Sequence, residues 1–252
     1  MRAYHLNGHA GAGGLVRADV SKPEPAKGEV RIRVEAASLN YRDLLILDRV
    51  GQGGLNGRVP LSDGAGVVDA IGSDVAQWQV GDRVAASYFR DWISGPFKAS
   101  YIPSALGSRT LDGMLAEYVV LPATALVAVP QHLTSVEAAT LPCAGVTAWH
   151  GLIARGGMRK GDTLLVQGTG GVALFGLQFA AALGARAIVI SSSNEKLARA
   201  KALGGSILIN YRDTPDWDVA LMKATDGEGA SHILELGGPG TYDRSQIGRA
   251  HV

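Results

Sequence analysis

The sequence has 252 residues, of which 46% are hydrophobic and 19% charged, and its formal net charge at pH 7 is +1. A chain of this length forms one large domain or two ordinary ones. Its balanced charge, without a dense basic run, argues against nucleic acid or an anionic membrane as a partner. The single cysteine excludes an intramolecular disulfide, and no signal-peptide pattern opens the chain, so we expect a cytoplasmic protein.

The first 122 residues are predicted to be rich in β-strands. The segment EVRIRVEAAS (29–38) alternates apolar and charged side chains, which is typical of a half-buried antiparallel strand and places Arg31 on the solvent face. Further short strands, separated by glycine and proline, are predicted over 66–72, 81–87 and 116–122. Several short strands at this spacing indicate a small barrel or sandwich.

From about residue 123 the pattern changes to alternating helices and strands. Segment 135–156 is helical in composition, and it is followed by predicted strands over 163–168, 186–191, 206–211 and 232–238 and by predicted helices over 171–183, 194–203 and 215–225. The most apolar stretch, 172–185, contains Gln178 and is too short to span a membrane. Near-continuous apolar strands between helices indicate parallel strands covered on both faces, and therefore a doubly wound α/β unit.

A glycine-rich turn joins the first strand of this unit to its helix. Gly168, Gly170 and Ala173 form a G-x-G-x-x-A pattern. The first glycine permits a tight turn, the second lets the backbone approach a pyrophosphate, and the alanine keeps helix and strand close together. We therefore predict that a dinucleotide binds to the loop residues Gly168, Thr169, Gly170, Gly171 and Val172.

The residues after the second strand favour one dinucleotide over the other. Sites that prefer NAD usually carry Asp or Glu there, to hold the ribose 2′-hydroxyl, but this sequence has Ser191 and Ser192. Lys196 and Arg199 follow on the helix, and Tyr211 ends the next strand. Because hydroxyl groups and cations suit a 2′-phosphate, we predict NADP(H) in preference to NAD(H). The alternative is that the two cations form an ordinary solvated helix face.

The order of these segments resembles that of the medium-chain dehydrogenase/reductase superfamily. The resemblance extends to about residue 241 and rests on the motifs ASLNYRDLLI, DGAGVVDAIGSDVAQWQVGDRV, GMLAEYVVLP, LPCAGVTAWHGL and VQGTGGVALFGLQFAAALGA. It implies an α/β protein in which a GroES-like β-rich catalytic domain (1–122) precedes a doubly wound Rossmann domain (123–245) that is incomplete at its C-terminal end. It also implies a small-molecule substrate and a homodimer for the full-length protein.

The zinc ligands of alcohol dehydrogenases in that superfamily are replaced here. The Cys of the first domain corresponds to Asn40, the His of the Gly-His-Glu motif to Ser62, and the third ligand to Cys143, while the lobe of four cysteines is absent. An amide, a hydroxyl and one cysteine do not make a catalytic zinc site, even if Asp63 adds a carboxylate. The sequence is therefore similar to the zinc-independent branch of quinone oxidoreductases, and we expect no metal.

That branch implies hydride transfer from the cofactor to a quinone, an enone or another carbonyl compound, whose developing negative charge needs hydrogen-bond donors more than a metal. The segment SLNYRD also resembles the enoyl reductase modules of fatty-acid and polyketide synthases. An enoyl-thioester reductase is therefore one alternative. A nucleotide-binding relative without catalytic activity, or an inactive fragment of such an enzyme, is another.

The resemblance and the residue chemistry together indicate the candidate site residues. Asn40 and Tyr41 follow the alternating strand and are candidates to orient the substrate and to donate a hydrogen bond or proton to it. Thr147, four residues after Cys143 on the predicted helix, is the third catalytic candidate. Asp63 and Cys143 are expected to line the substrate pocket, since no base is paired with the cysteine in a recognised nucleophile motif.

Two segments stand outside these motifs. The aromatic loop 89–113 is a candidate lid or specificity segment, with a plain surface excursion as the alternative. Residues 246–252 can be encoded by a widely used DNA-sequencing adapter, so we expect a non-native tail there, in place of the last strands of the second domain and the return of the chain to the first. The DNA sequence checks this expectation, because a different set of codons would contradict it.

Overall fold

A computed structural model describes residues 1–49 and 55–249. The chain divides into two compact units, Met1–Cys143 and the residues from Ala144 onward. Sequence analysis placed the domain boundary after Pro122 instead.

The first unit is built on an antiparallel sheet, which has five strands in the described part of the chain, in the order β6-β3-β4-β5-β7. These strands are β3 (Glu29–Ser38), β4 (Asp63–Ile71), β5 (Arg83–Ala86), β6 (Tyr118–Pro122) and β7 (Leu126–Ala128), and a separate hairpin pairs β1 (Arg2–Leu6) with β2 (Leu15–Asp19). Its α-helices are α1 (Tyr41–Asp48) and α2 (Ser135–Ala138). The predicted β-rich unit is thus confirmed.

The segment between Pro122 and Ala144 belongs to the first unit because its contacts lie there. β7 pairs with β5. Ala138 and Ala139, at the end of α2, pack against Ala65 of β4. Burial of these small side chains removes the apolar face of α2 from water.

The prediction for one face of β3 was wrong at Arg31, which is buried rather than solvated. Val30 and Ile32 point into the core as expected. The Arg31 guanidinium donates to Asp69 Oδ2 at 2.6 Å and to the Pro23 carbonyl at 3.0 Å. A buried guanidinium is tolerated when its N–H groups are paired, and Asp69 comes from a strand 38 residues away along the chain.

The second unit contains a parallel sheet whose described strands have the order β10-β9-β8-β11. Its elements are β8 (Thr163–Gln167), α4 (Gly171–Leu183), β9 (Arg186–Ser191), α5 (Asn194–Ala202), β10 (Gly205–Asn210), α6 (Trp217–Ala224), β11 (His232–Leu234) and α7 (Pro239–Ile247). Alternate residues of β8 enter two separate apolar clusters, Leu164 with Leu177 of α4 and Leu165 with Leu221 of α6. The sheet is therefore covered on both faces, and the predicted doubly wound unit is confirmed.

Two elements differ from the sequence-based prediction. The helical segment predicted over 135–156 is interrupted after α2. It continues as a π-helix (Leu141–Gly145), α3 (Val146–Trp149) and a second π-helix (His150–Arg155). π-Helical turns are rare and occur frequently at functional sites.

The strand β11 ends at Leu234, four residues before the predicted end at 238. From Glu235 onward the chain turns away, because the next backbone N–H groups donate to side chains of β8 and of the turn itself.

The aromatic loop 89–113 holds a short 3-10 helix (Ala99–Ser104) and a cluster of rings. Phe97 lies 5.2 Å from both Phe89 and Trp92, measured between ring centroids. These ring contacts join residues of the loop to one another. Its role as a lid stays a prediction.

Of the expected tail 246–252, residues 250–252 lie outside the described part of the chain. Gln246 and Ile247 complete α7, and Arg249 forms an isolated parallel bridge with Ala230. None of the described helices has the length and apolar character needed to cross a membrane.

Candidate functional site

The glycine turn at the end of β8 has the geometry of an anion-binding loop. Gly168 has a φ of 75°, and its N–H donates to the Ile190 carbonyl at 2.7 Å. Gly170 begins α4 with extended backbone, φ −80° and ψ 179°. No heavy atom lies within 4 Å of the point where a Cβ would stand on either glycine. The turn is therefore tight, and the space in front of it is open.

The start of α4 is pressed against the sheet. Ala173 is fully buried, and a Cβ on Gly176 would lie 2.8 Å from Leu234 Cδ2. The first helical N–H groups, from Gly171 onward, have no acceptor within the helix and carry the positive end of its dipole. This geometry fits the pyrophosphate of a dinucleotide.

The ends of β9 and β10 meet beside this loop. Ser191 is 3% exposed, and its carbonyl accepts from the Tyr211 N–H at 3.1 Å. Ser193 is not among the predicted cofactor-binding residues. It is the N-cap of α5, and its hydroxyl accepts from the Lys196 N–H at 3.3 Å. The hydroxyl of Ser193 is thus used by the helix. The signal for this cap was local, a serine directly before a helical run.

The two cations of α5 that the sequence indicates for a 2′-phosphate, Lys196 and Arg199, differ in their partners. Arg199 forms an ion pair with Glu195 at 2.7 Å, one turn away on the exposed helix face. Lys196 is exposed and has no ion pair within the described residues. Of these two predicted phosphate ligands, Lys196 is therefore the one without an ion pair in the described part of the chain.

A buried polar cluster lies in the first unit, around Asp63 at the start of β4. Asp63 is completely buried; its Oδ1 accepts from Ser62 Oγ at 2.7 Å and its Oδ2 from the Cys143 N–H at 2.9 Å. Burial raises the pKa of Asp63, and these hydrogen bonds oppose that effect in part. The carboxyl of Asp63 therefore joins the loop before β4 to the start of the π-helix.

The loop before Asp63 has a strained backbone that two glycines accommodate. Leu61 has a φ of 69°, a left-handed conformation unusual for leucine. A Cβ on Gly113 would lie 1.9 Å from the Leu61 carbonyl oxygen, and one on Gly107 2.7 Å from the same atom. Backbone packing from the aromatic loop thus determines where Asp63 stands.

Asn40 and Asp43 form the N-terminus of α1. The Asn40 N–H donates to Asp43 Oδ2 at 2.7 Å, and burial raises the pKa of Asp43. The amide of Asn40 lies beside Asp63 and lowers the pKa of that carboxyl. Its Nδ2 is nonetheless buried without a hydrogen-bond partner among the described residues. Asp43 is not among the catalytic residues that the sequence predicts, although an acid three residues after Asn is a recognisable capping pattern.

Arg42 is the cation of this cluster. Its guanidinium lies over the Tyr88 ring, 4.9 Å from the centroid, and donates to the Leu106 carbonyl at 3.0 Å. Its Nη1 is 3.7 Å from Asp43 Oδ1. Two buried carboxyls and one half-buried guanidinium thus lie close together. Burial raises the pKa of both acids, and the positive charge of Arg42 offsets part of that rise.

The remaining catalytic candidates are exposed within their own units. Tyr41 is 76% exposed, and its hydroxyl makes no hydrogen bond within the described residues. Thr147 lies on the exposed side of α3. Both hydroxyl groups are free to contact a ligand.

The residues at the zinc-ligand positions do not fit zinc. Burial, with the nearby Asp63 charge, raises the pKa of Cys143 to about 11, which disfavours the thiolate that zinc binds. Both oxygens of Asp63 already accept hydrogen bonds. Across residues 1–49 and 55–249, no group of three or more His, Cys, Asp or Glu side chains is arranged to hold a metal ion.

At pH 8, Cys143 is expected to react with iodoacetamide roughly a hundredfold more slowly than an ordinary cysteine, because a pKa near 11 leaves little thiolate. Alkylation of the native chain, followed by mass spectrometry, measures the rate. The same chain unfolded in urea is the control. Native and unfolded rates within about threefold of each other would show an accessible, ionisable thiol.

Two family models match the chain, and they match different halves. Residues 26–131 match the alcohol dehydrogenase GroES-like domain, and residues 171–246 match the zinc-binding dehydrogenase domain. The zinc-type alcohol dehydrogenase-like protein of Schizosaccharomyces pombe is 46% identical over 90% of this chain and 68% of its own length. The acryloyl-coenzyme A reductase of Sulfurisphaera tokodaii is 32% identical over 91% of this chain and 74% of its own.

Solved structures agree with this relationship. An NAD-dependent alcohol dehydrogenase is similar over 99% of this chain and 75% of its own, with a TM-score of 0.89 and 34% identity. A mycobacterial protein solved with NADPH has a TM-score of 0.81 and 28% identity over 99% of this chain and 71% of its own. A quinone oxidoreductase of Pseudomonas syringae has a TM-score of 0.80 and 28% identity over 99% and 70%. The chain is shorter than its relatives and spans 62% and 55% of two further curated ones.

Proposed function

The chain belongs to the medium-chain dehydrogenase/reductase superfamily, and we propose that it binds NADP(H) and reduces a quinone, an enone or a related carbonyl compound. The observation that carries the proposal is the combination of the glycine loop with the serines and free lysine beside it. The loop at Gly168 and Gly170 is open where a pyrophosphate would lie. Among residues 1–49 and 55–249, Lys196 forms no ion pair, and it follows the strand end where a ribose phosphate would lie.

In this proposal the second unit holds the cofactor. The backbone N–H groups of Gly170, Gly171 and Val172, with the hydroxyl of Thr169, bind the pyrophosphate. Ser191, Ser192, Lys196 and Tyr211 bind the ribose and its 2′-phosphate, since a lysine and hydroxyl groups pair well with phosphate oxygens. Solved relatives include one described as NAD-dependent and one bound to NADPH, so the choice rests on this chain's own residues.

The bound cofactor would supply the hydride. Asn40 and Tyr41 would then donate hydrogen bonds to the substrate oxygen, on which negative charge develops, and the free hydroxyl of Thr147 would orient the reacting groups. The exposed side chains of Tyr41 and Thr147 support this assignment. Cys143 would line the pocket, with the thiol protonated because the pKa of Cys143 is about 11. Asp63, predicted as a second pocket residue, is completely buried and would instead hold the backbone of Cys143 through its N–H.

A second candidate function is reduction of an enoyl thioester. Relatives named acryloyl-coenzyme A reductase, from Sulfurisphaera tokodaii and Metallosphaera sedula, are 32% and 33% identical to this chain. The chemistry is shared, because an enone and an enoyl thioester both delocalise the charge onto a carbonyl oxygen. A nucleotide-binding relative without turnover is the remaining alternative.

The 252-residue chain is expected to bind NADPH at least about tenfold more tightly than NADH, since a charge-assisted phosphate contact contributes roughly 1.5–3 kcal/mol. Titration of each reduced cofactor, followed by its fluorescence, measures both dissociation constants. Turnover of the chain is then assayed on benzoquinone, cyclohexenone and crotonyl-coenzyme A. Equal affinity for the two cofactors contradicts the 2′-phosphate assignment, and turnover of the thioester alone favours the second candidate.

A further inference from the structure

A buried glutamine ends the strand that leads into the glycine loop. Gln167 is 6% exposed, and all of its amide's hydrogen-bonding capacity is directed at the turn after β11 and at α7. Its Oε1 accepts from the N–H groups of Leu236 and Gly237, both at 3.0 Å. Its Nε2 donates to Glu235 Oε2 and to Ser245 Oγ, both at 2.7 Å.

Glu235 completes the same network. Its Oε1 accepts from the N–H groups of Gly237 at 2.9 Å and Gly238 at 3.0 Å, and from Thr241 Oγ1 at 2.6 Å. Its Oε2 accepts from Ser245 Oγ as well as from Gln167. Burial acts to raise the pKa of Glu235, but these hydrogen bonds bring it below its ordinary value. The carboxylate is therefore ionised and fully coordinated at neutral pH.

The turn held by this network requires glycine. Gly238 has a φ of 77°, and a Cβ on Gly237 would lie 2.3 Å from Thr241 Oγ1. Four donations from three backbone N–H groups, those of Leu236, Gly237 and Gly238, go to the Gln167 and Glu235 side chains. Without these two side chains, the described structure gives those N–H groups no other acceptor. The backbone of the turn is thus positioned by side chains and not by a strand ladder.

The position of the turn links the network to the proposed cofactor site. β11 and β8 are neighbouring parallel strands, paired from His232 with Leu164 to Leu234 with Val166. Their carboxyl ends lie at the same edge of the sheet, where the glycine loop begins directly after Gln167. Ligands of open α/β sheets bind outside this edge. The turn 236–238 therefore stands beside the loop that is proposed to bind the pyrophosphate.

We propose that Gln167 and Glu235 are positioning residues for the cofactor: together they hold the turn 236–238 as a wall of the dinucleotide site. The inference rests on the proposed function, because the ligand that the turn would contact is the dinucleotide of that proposal. A buried polar pair in place of apolar packing is costly unless every group is satisfied. Every hydrogen-bonding group of Gln167 and Glu235 has a partner. Four of these hydrogen bonds are donated by backbone N–H groups of one turn.

An exchange of the two side chains tests the proposal. In Gln167→Glu two carboxylates face each other, and in Glu235→Gln an amide N–H₂ must face donors, so each single variant breaks the network. In the double variant Gln167→Glu/Glu235→Gln, the new Glu accepts from the turn and from the new Gln, which restores the bonding with reversed roles. Each single variant is expected to weaken NADPH binding about tenfold, and the double variant to recover to within about threefold of the original chain.

Three readouts separate positioning from general stability. NADPH affinity is measured by fluorescence titration, melting temperature by circular dichroism, and exposure of the Leu236 and Gly237 amides by hydrogen exchange. Gln178→Glu is the matched control, since the Gln178 amide donates to the Leu174 carbonyl on the exposed side of α4. If a single variant does not fold, Thr241→Val, which removes one donor to Glu235, replaces it and is expected to weaken NADPH binding in the same direction.

The outcomes are distinct. Faster exchange at the Leu236 and Gly237 amides with unchanged NADPH affinity overturns the proposal, because the turn would then not contact the cofactor. A lower melting temperature with unchanged affinity overturns it as well. If the original chain binds no NADPH, the proposed function fails, and the assignment of the turn to a dinucleotide fails with it. The amide hydrogen-exchange data, which need no cofactor, still show whether the side chains of Gln167 and Glu235 hold the turn.

Discussion

The double variant Ser191→Asp/Lys196→Ala is expected to reverse the cofactor preference, with a change of about three orders of magnitude in the ratio of the dissociation constants for NADPH and NADH. If the proposed site is correct, loss of the lysine removes a charge-assisted hydrogen bond of roughly 1.5–3 kcal/mol from the 2′-phosphate. The new carboxylate repels that phosphate, which costs up to several kcal/mol, and accepts from the 2′-hydroxyl of NADH.

The measurement is fluorescence titration with both reduced cofactors at two salt concentrations. Lys201→Ala is the matched control, because Lys201 stands in the last turn of the same helix and carries the same charge. We expect it to leave the ratio within about twofold, and we expect the NADPH affinity of the original chain to fall as salt screens the phosphate contact. If the double variant keeps the original ratio of the dissociation constants for NADPH and NADH, the ribose does not bind beside Ser191 and Lys196.

Replacement of Asp63 by Ala and by Asn is expected to have opposite effects on stability. Alanine leaves Ser62 Oγ and the Cys143 N–H without an acceptor in a fully buried place, and we expect the free energy of unfolding to fall by about 2–3 kcal/mol. Asparagine accepts from the Cys143 N–H through Oδ1 and donates to a rotated Ser62 hydroxyl through Nδ2. It keeps both bonds without a buried charge, so Asp63→Asn is expected to be at least as stable as the original chain at pH 7.

The direction in which the pKa of Asp63 is shifted determines how its contribution to the free energy of unfolding changes with pH. Burial raises the pKa of Asp63 in the folded chain, so the folded state binds the proton more tightly than the unfolded state does. The stability that protonated Asp63 contributes is complete below the unfolded pKa of about 4 and is lost as the pH rises through the folded pKa. Asn does not titrate, so the advantage of Asp63→Asn grows over that interval.

Urea denaturation of the three chains between pH 4 and 8 checks both statements. Asp74→Asn is the control, because Asp74 is an exposed carboxylate paired with Lys27 at 2.8 Å, and such surface pairs contribute little. An advantage of Asp63→Asn that shrinks as the pH rises would mean that the folded chain stabilises the ionised carboxylate.

Much of the fold could be predicted from the sequence because its signals are local. The alternation of residues 29–38 coincides with β3, and the apolar helix 171–183 coincides with α4. The glycine pattern at Gly168 and Gly170 identifies the loop, because its glycines serve backbone conformations that depend on immediate neighbours. Periodicity and glycine placement report on residues a few positions apart, and that is the scale on which helices, strands and turns form.

Contacts between distant segments could not be predicted in this way. The burial of Arg31 depends on Asp69, and the raised pKa of Cys143 depends on burial beside Asp63. Neither is visible in the residues next to them.

Residue patterns alone predict a β-rich part, a doubly wound part with a glycine loop, and a set of side chains that are candidates for chemistry. Which of these side chains are available depends on the fold. Within the described residues, Arg199 pairs with Glu195 whereas Lys196 has no ion pair, and Gln167 reaches across to the turn after β11. The physical reason is that secondary structure follows from short-range sterics and hydrophobic patterning, whereas hydrogen bonds, ion pairs and pKa values depend on which groups the fold brings within a few ångströms.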